Sequence, residues 1–243
     1  MKIFLASLKT AFSCDSSLMC KYGLESFYTM DKRTEEKIKE LDMFLLDSGA
    51  FSFMNSTDSL EINWDSYIEK YAEFINKNDI KYFFELDIDS IVGIKEVERL
   101  RAKLEKLTNK KCIPVWHRSR GFEYWKQMCK DYDYVAIGGI VTREIKRKDY
   151  DYFIPMLKIA KENNCKVHGL GFTNLKLLKK YNFFSVDSTS WIGGRYGTLQ
   201  FFDGKTIKSL KKEDNRKLKS TRTVNVFNFK EWVKFQKYFD NIG

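Results

Sequence analysis

Short runs rich in β-branched and aromatic residues recur along this chain at 2–6, 43–46, 82–86, 112–116, 134–137, 166–170, 183–186 and 198–202. They are nearly continuous in hydrophobicity, as parallel strands buried on both faces must be. Between many of them lie stretches with helical spacing, such as Trp64, Tyr67, Ile68, Tyr71, Phe74 and Ile75, then Val97, Leu100, Leu104 and Leu107. Strand and helix in alternation call for a parallel α/β sheet, and eight repeats are what a closed (β/α)8 TIM-like barrel needs. An open doubly wound sheet is the alternative. The gap between Val186 and Thr198 is too short for a crossover helix, so irregularity is expected near the last strands, with 223–227 as another source of the final strand. The tail, with Phe229, Trp232, Val233, Phe235, Tyr238 and Phe239, reads as a closing helix. The 243 residues form one domain, 1–243, since no low-complexity linker interrupts them.

Aspartates stand at or just past the ends of three of these runs, in DSGAFS (47–52), ELDID (85–89) and VDSTSW (186–191). A carboxylate at the end of a buried strand is held rigidly yet faces a rim, where α/β barrels keep their chemistry. In the first motif Gly49 lets the backbone approach a ligand, Asp47 and Ser48 supply polar groups, and Phe51 joins the same wall. Asp47 alone reads equally well as a helix N-cap. Asp87 and Asp89 share one side of an extended segment, and either would accept two parallel N–H donors from a guanine edge. A metal pair is the competing reading of these two. Gly138 and Gly139 end YVAIGG without side chains, leaving room for a flat base or simply forming a turn. His117 and His168 each end a strand-like run and are candidates to line a site. If Asp187 faces Asp47 across the mouth, one would serve as nucleophile and the other as acid/base in a double displacement.

Lys and Arg outnumber Asp and Glu by 43 to 33, a formal charge of +10 that favours a polyanionic partner, nucleic acid foremost. From Lys205 to Arg222 eight basic residues face two acidic ones, and Lys205, Lys208, Lys211, Lys212 and Arg216 are the candidates there for phosphate contact. Arg143, at the head of a second basic cluster with Lys146, Arg147 and Lys148, and Arg195 are further candidates. A solvated surface explains such runs equally well. The five cysteines are odd in number and show no paired C-x-x-C spacing, so neither a disulfide framework nor a standard zinc site is suggested. The opening run is too short for a signal peptide, and nowhere do about eighteen apolar residues follow one another. A cytoplasmic protein without membrane contact is expected.

The ordered motifs resemble those of the tRNA-guanine transglycosylases. DSGAFS is similar to that family's DSGGFQ signature, and ELDID, AIGG, VHGLGFT and SVDSTSW resemble its later motifs in the same order. The nearer resemblance, over residues 45–197, is to the small phage-associated branch proposed to place 7-deazaguanines in DNA. The resemblance implies a barrel that exchanges guanine in a nucleic acid for a free 7-deazaguanine without a cofactor. Asp187 would attack C1′, Asp47 would move the proton, and Asp87 (or Asp89), Gly138 and Gly139 would read the base, with Leu170 and Gly171 forming a wall. Trp191, Phe172 and Tyr196 are stacking candidates. The family's cysteine-rich zinc subdomain has no counterpart here, which favours DNA over tRNA as partner. A flipped target base must first leave the stack. Base exchange on tRNA and a non-catalytic base-binding barrel are the alternatives.

Overall fold

The computed structural model describes residues 1–49, 62–210 and 220–242. Seven strands, β1 (Lys2–Ala6), β2 (Tyr22–Ser26), β3 (Met43–Asp47), β4 (Val115–Trp116), β5 (Tyr134–Ile137), β6 (Lys166–Gly169) and β7 (Ser185–Ser188), form one parallel sheet. Their order is β3-β2-β1-β7-β6-β5-β4. The two outer strands of that order are linked through a short extended segment, where Leu46 bridges Phe83 and Phe84 bridges Ile113, both in parallel. The linkage is hydrogen-bonded, with Phe84 N–H donating to the Leu46 carbonyl (3.0 Å) and Ile113 N–H to that of Phe83 (2.8 Å). The sheet is therefore curled in a TIM-like α/β manner, with both faces covered.

Alternation along the strands sorts the side chains into two layers. Phe4, Ala6, Leu24, Leu45, Phe84, Val115, Tyr134 and Ala136 pack together inside the curl. Their chain neighbours Ile3, Leu5, Leu46, Phe83, Val135 and Ile137, together with Val167 and Val186 of the adjoining strands, belong to the larger cluster beneath the helices. Those helices are α1 (Leu8–Cys14), α2 (Lys32–Lys37), α3 (Trp64–Lys77), α4 (Asp89–Val92), α5 (Ile94–Thr108), α6 (Gly121–Asp131), α7 (Phe153–Glu162) and α8 (Thr221–Ile242). α3 starts where the Asn63 side chain accepts from Ser66 N–H (2.9 Å) and buries Ile68, Tyr71, Ala72 and Ile75. Each such fully buried large apolar side chain contributes about 1.5–3 kcal/mol. Tyr71 also reaches the Leu46 and Phe84 carbonyls (3.1 Å each), tying α3 to the linked edges of the sheet.

Three expectations are corrected. The run 198–202 is not part of the parallel sheet: β8 (Leu199–Phe202) pairs antiparallel with β9 (Ile207–Leu210) as a separate hairpin on α8. Residues 223–227 are helical, because their apolar positions continue the face of α8 that carries Phe229, Trp232 and Phe235. The missing parallel strand is β2, whose sequence YGLES has no hydrophobic run to advertise it. The last parallel strand is also shifted to Ser185–Ser188, which puts Asp187 inside the strand. The irregularity expected near the end is present, and the β6 to β7 connection itself carries turns in place of a helix. All five cysteines are free thiols. Among the described residues no helix is long and apolar enough to cross a membrane.

Candidate active site

At the C-terminal ends of the parallel strands lies a cavity of about 730 Å3, lined among others by Asp47, Asp87, His117, Gly138, Gly139 and Asp187. Residues from Asp47 to Asp187, 140 positions apart, meet there because they stand at or just beyond the C-terminal ends of segments of one curled sheet. Glu25, Thr29, Tyr150, Arg147 and Asn174 complete much of the wall.

Asp47 closes β3 and is set by its own turn. Gly49, at φ +87°, brings its N–H back to the Asp47 carboxylate, and a Cβ at Gly49 would lie 2.6 Å from that of Tyr28. The Tyr67 hydroxyl anchors the turn through the Ser48 carbonyl (2.6 Å). Desolvation deep in the cavity pushes the Asp47 carboxyl up to about 7 against the Gly49 hydrogen bond, and the charges of Asp187, Asp87 and Glu25 add to the rise. Near neutral pH this group is divided between acid and base, as a proton-transfer residue requires.

Asp187 stands three strands away in the sheet order. Its Oδ1 accepts from the Gly171 N–H (2.6 Å) and from His168 Nε2 (3.2 Å). His168 Nδ1 lies 2.6 Å from Ser185 Oγ, which is 2.5 Å from the Tyr134 hydroxyl. With Nε2–H donating to the carboxylate, Nδ1 accepts from Ser185 and Ser185 accepts from Tyr134, so one set of donors satisfies the whole buried chain. Among the described residues Oδ2 of Asp187 takes no hydrogen bond and is the oxygen left for a ligand. Gly171 needs to be glycine on two counts: its φ is +66°, and a Cβ would lie 2.2 Å from Val141 Cγ2.

A third group is an ion-pair network. Arg120, its side chain almost wholly buried, donates to Glu85 (2.8 Å) and Asp89 (2.9 Å) and has Asp87 at 3.9 Å. Glu85 is fully buried, also accepts from Val115 N–H (2.8 Å), and has Arg101 at 3.4 Å. Burial, the largest influence, leaves its carboxyl raised despite both guanidiniums. His117 lies between Asp87 and Glu144. Asp87, Asp89 and His117 could by spacing hold a cation, but the Arg120 guanidinium already sits on Asp89 and beside Asp87, and both ring nitrogens of His117 face carboxylates. The chemistry of this donor set is that of an internal salt bridge.

The remaining sequence candidates divide clearly. Leu170 and Gly171 line the cavity. Ser48 and His168 are fully buried behind it. Asp87 lines the cavity and Asp89 does not, since Asp89 opens α4 and is turned onto Arg120. Trp191 is fully buried, with its indole N–H on the Ala6 carbonyl (2.9 Å) and its ring against Phe229, because it roots the β7 loop beneath α8. Phe172 is likewise buried in an aromatic cluster with Tyr150, Phe153 and Phe183, whereas Tyr196 is exposed with Arg195 over its ring. Phe51, Lys211, Lys212 and Arg216 lie outside the described residues.

The basic candidates do not share one rim. Arg143 and Arg195 are exposed on the loops that leave β5 and β7 at the cavity end. Lys205 and Lys208 stand on the β8–β9 hairpin, whose Phe202 packs on Phe235 and Tyr238 of α8. That half of α8 reaches the N-terminal ends of β1 and β2 through Gln236, so the hairpin tip points away from the cavity. Arg147, named in the second basic cluster, lines the cavity, whereas Glu25, Arg120 and Glu144 were missed. Only Arg120 left a signal, in the RSRG that follows VWH.

No protein-family model matches the chain, and no curated protein matches it. Among solved structures it is similar to an enolase protein from the environmental genome shotgun sequencing of the Sargasso Sea, with a TM-score of 0.46 and 6% identity. The match covers 77% of this chain and 54% of that one, so the chain spans about half the length of that enolase. A likeness of this strength carries no argument about chemistry.

Proposed function

We propose that this protein is a base-exchange glycosyltransferase that replaces guanine in DNA with a free 7-deazaguanine, working on an eight-staved barrel in which residues 83–84 are the short eighth stave. One observation carries the reading: two carboxylates face a single cavity, one poised near neutrality and the other aimed by a backbone N–H. In this scheme Asp187 attacks C1′ and the C1′–N9 electron pair leaves with guanine, which takes its proton from Asp47. The incoming base returns a proton to Asp47 as its nitrogen attacks C1′ and releases Asp187. Asp87 accepts the N–H donors of the base edge. The motif order seen in the sequence agrees with this assignment of roles, and exposed Arg143 and Arg195 offer phosphate contacts at the mouth.

The test is base exchange itself. The protein is incubated with guanine-labelled DNA or tRNA and a 7-deazaguanine, and the digested nucleosides are identified by mass. A modified deoxynucleoside that disappears in Asp187→Asn supports the proposal. A modified ribonucleoside moves the substrate to tRNA, and base binding without exchange on either polymer reduces the protein to a binding barrel.

A further inference from the structure

The ring of His117 is clasped on both sides. Its Nε2 lies 2.7 and 2.9 Å from the two oxygens of Asp87, and its Nδ1 lies 2.8 Å from Oε2 of Glu144. A neutral imidazole has one N–H, so one of these contacts would set a nitrogen lone pair against a carboxylate oxygen. Against two carboxylates, both are attractive only when both nitrogens carry protons.

The backbone around the ring is shaped for this arrangement. A Cβ at Gly138 would lie 2.7 Å from ring Cε1 and Nε2, and one at Gly139, where φ is +76°, 2.6 Å from Glu144 Oε2. The glycine pair that reads from sequence as a platform for a base thus also makes room for the clasp. Glu144 is held by the Ser119 N–H (3.1 Å), and its loop closes on itself where Ile145 N–H meets the Gly139 carbonyl (3.0 Å). The same loop sends Val141 and Arg147 to the cavity wall. The ring therefore joins Asp87, inside the cavity, to the loop that rims it.

We propose that His117 is a positioning residue that, as a doubly donating imidazolium, holds Asp87 aimed at the N–H donors of a base while pinning the Glu144 loop at the cavity mouth. The identity of the ligand rests on the base-exchange reading, but the clasp does not. The charged groups around the ring are Asp87, Asp89 and Glu144, with Arg120 behind Asp87 and Arg118 next in the chain. Desolvation, the largest single influence, pulls the imidazole down, but Asp87, Glu144 and Asp89 together outweigh it and bring the ring to about 9. A carboxylate fixed in this way accepts a donor–donor edge such as guanine's and rejects an edge that presents an acceptor there.

The chain has two histidines, so the His117 ring resonances can be followed by nitrogen–proton NMR and assigned by their loss in His117→Gln. We expect both ring nitrogens to be protonated at pH 7, with a midpoint near 9. Glu144→Gln should lower that midpoint by about one pH unit. The alkaline loss of 7-deazaguanine affinity, read by calorimetry, should move with it. His117→Gln, shown to be folded by circular dichroism, should weaken that affinity about tenfold or more and abolish its alkaline limb. A His117 midpoint at the ordinary histidine value, or an affinity limb that does not move in Glu144→Gln, overturns the proposal. Intact titration and base binding without exchange on any nucleic acid would support the clasp while sinking the base-exchange reading.

Discussion

The backbone N–H of Gly171 donates a 2.6 Å hydrogen bond to Oδ1 of Asp187, so the carboxylate of β7 is aimed by the loop that leaves β6. Gly171→Ala places a Cβ at positive φ and against Val141. We expect a stability loss of about 1–3 kcal/mol and a fall in the single-turnover exchange rate that exceeds any fall in base affinity. Denaturant midpoints and single-turnover kinetics check both. An unchanged rate in the folded variant would mean that Gly171 does not orient Asp187.

Asp47 gives a pH dependence of definite sign. Its folded carboxyl sits near 7 and its ordinary value is 3.8, so the native state holds a proton that the unfolded chain has lost. Stability on this account falls as pH rises from about 4 through 7, by on the order of 4 kcal/mol in full. Asp47→Asn should flatten that slope and be more stable than the parent at pH 8, while exchange drops about 10²–10⁴-fold. Urea titrations across pH 5–8 with parallel rate measurements decide it. A parent and variant with parallel stability profiles would show that the carboxyl is not raised.

For Trp191 the burial and the bond to Ala6 predict a structural role. Trp191→Phe should cost about 1–3 kcal/mol, from the orphaned Ala6 carbonyl and the smaller ring, and leave 7-deazaguanine affinity unaltered. A selective loss of affinity at unchanged stability would bring the indole back to the site.

Salt dependence of oligonucleotide binding separates the two basic regions. Removing Arg143 or Arg195 by alanine should reduce the slope of log affinity against log salt by about one each. Lys205→Ala and Lys208→Ala, on a hairpin turned from the cavity, should leave the slope as it was. The reverse pattern would place the nucleic acid on the flank of α8.

Much of this molecule was legible in advance because its physics is local. Buried parallel strands must be apolar on both faces, and a strand that ends in Asp47 declares both its own limit and a polar rim, whereas Asp187 marks the rim from inside its strand. The strand β2 escaped notice because Gly23 and Glu25 interrupt its apolar character: Gly23 packs beneath Leu8 and Leu41, and Glu25 is satisfied by Lys9 N–H, Ser26 N–H and the Thr29 hydroxyl. Neither compensation is visible in a one-dimensional pattern.

The sequence by itself determined the alternation of elements, the glycines at the turns and the carboxylates at the strand ends, since these follow from backbone geometry and side-chain period. Only the tertiary structure decided which charges meet. The curl of the sheet sets Asp87 and Glu144 on opposite sides of one imidazole, turns Asp89 onto Arg120 and sends the basic hairpin away from the mouth. Electrostatic energy depends on distances of a few ångströms and on the depth of burial, and both are fixed by how distant strands are brought together.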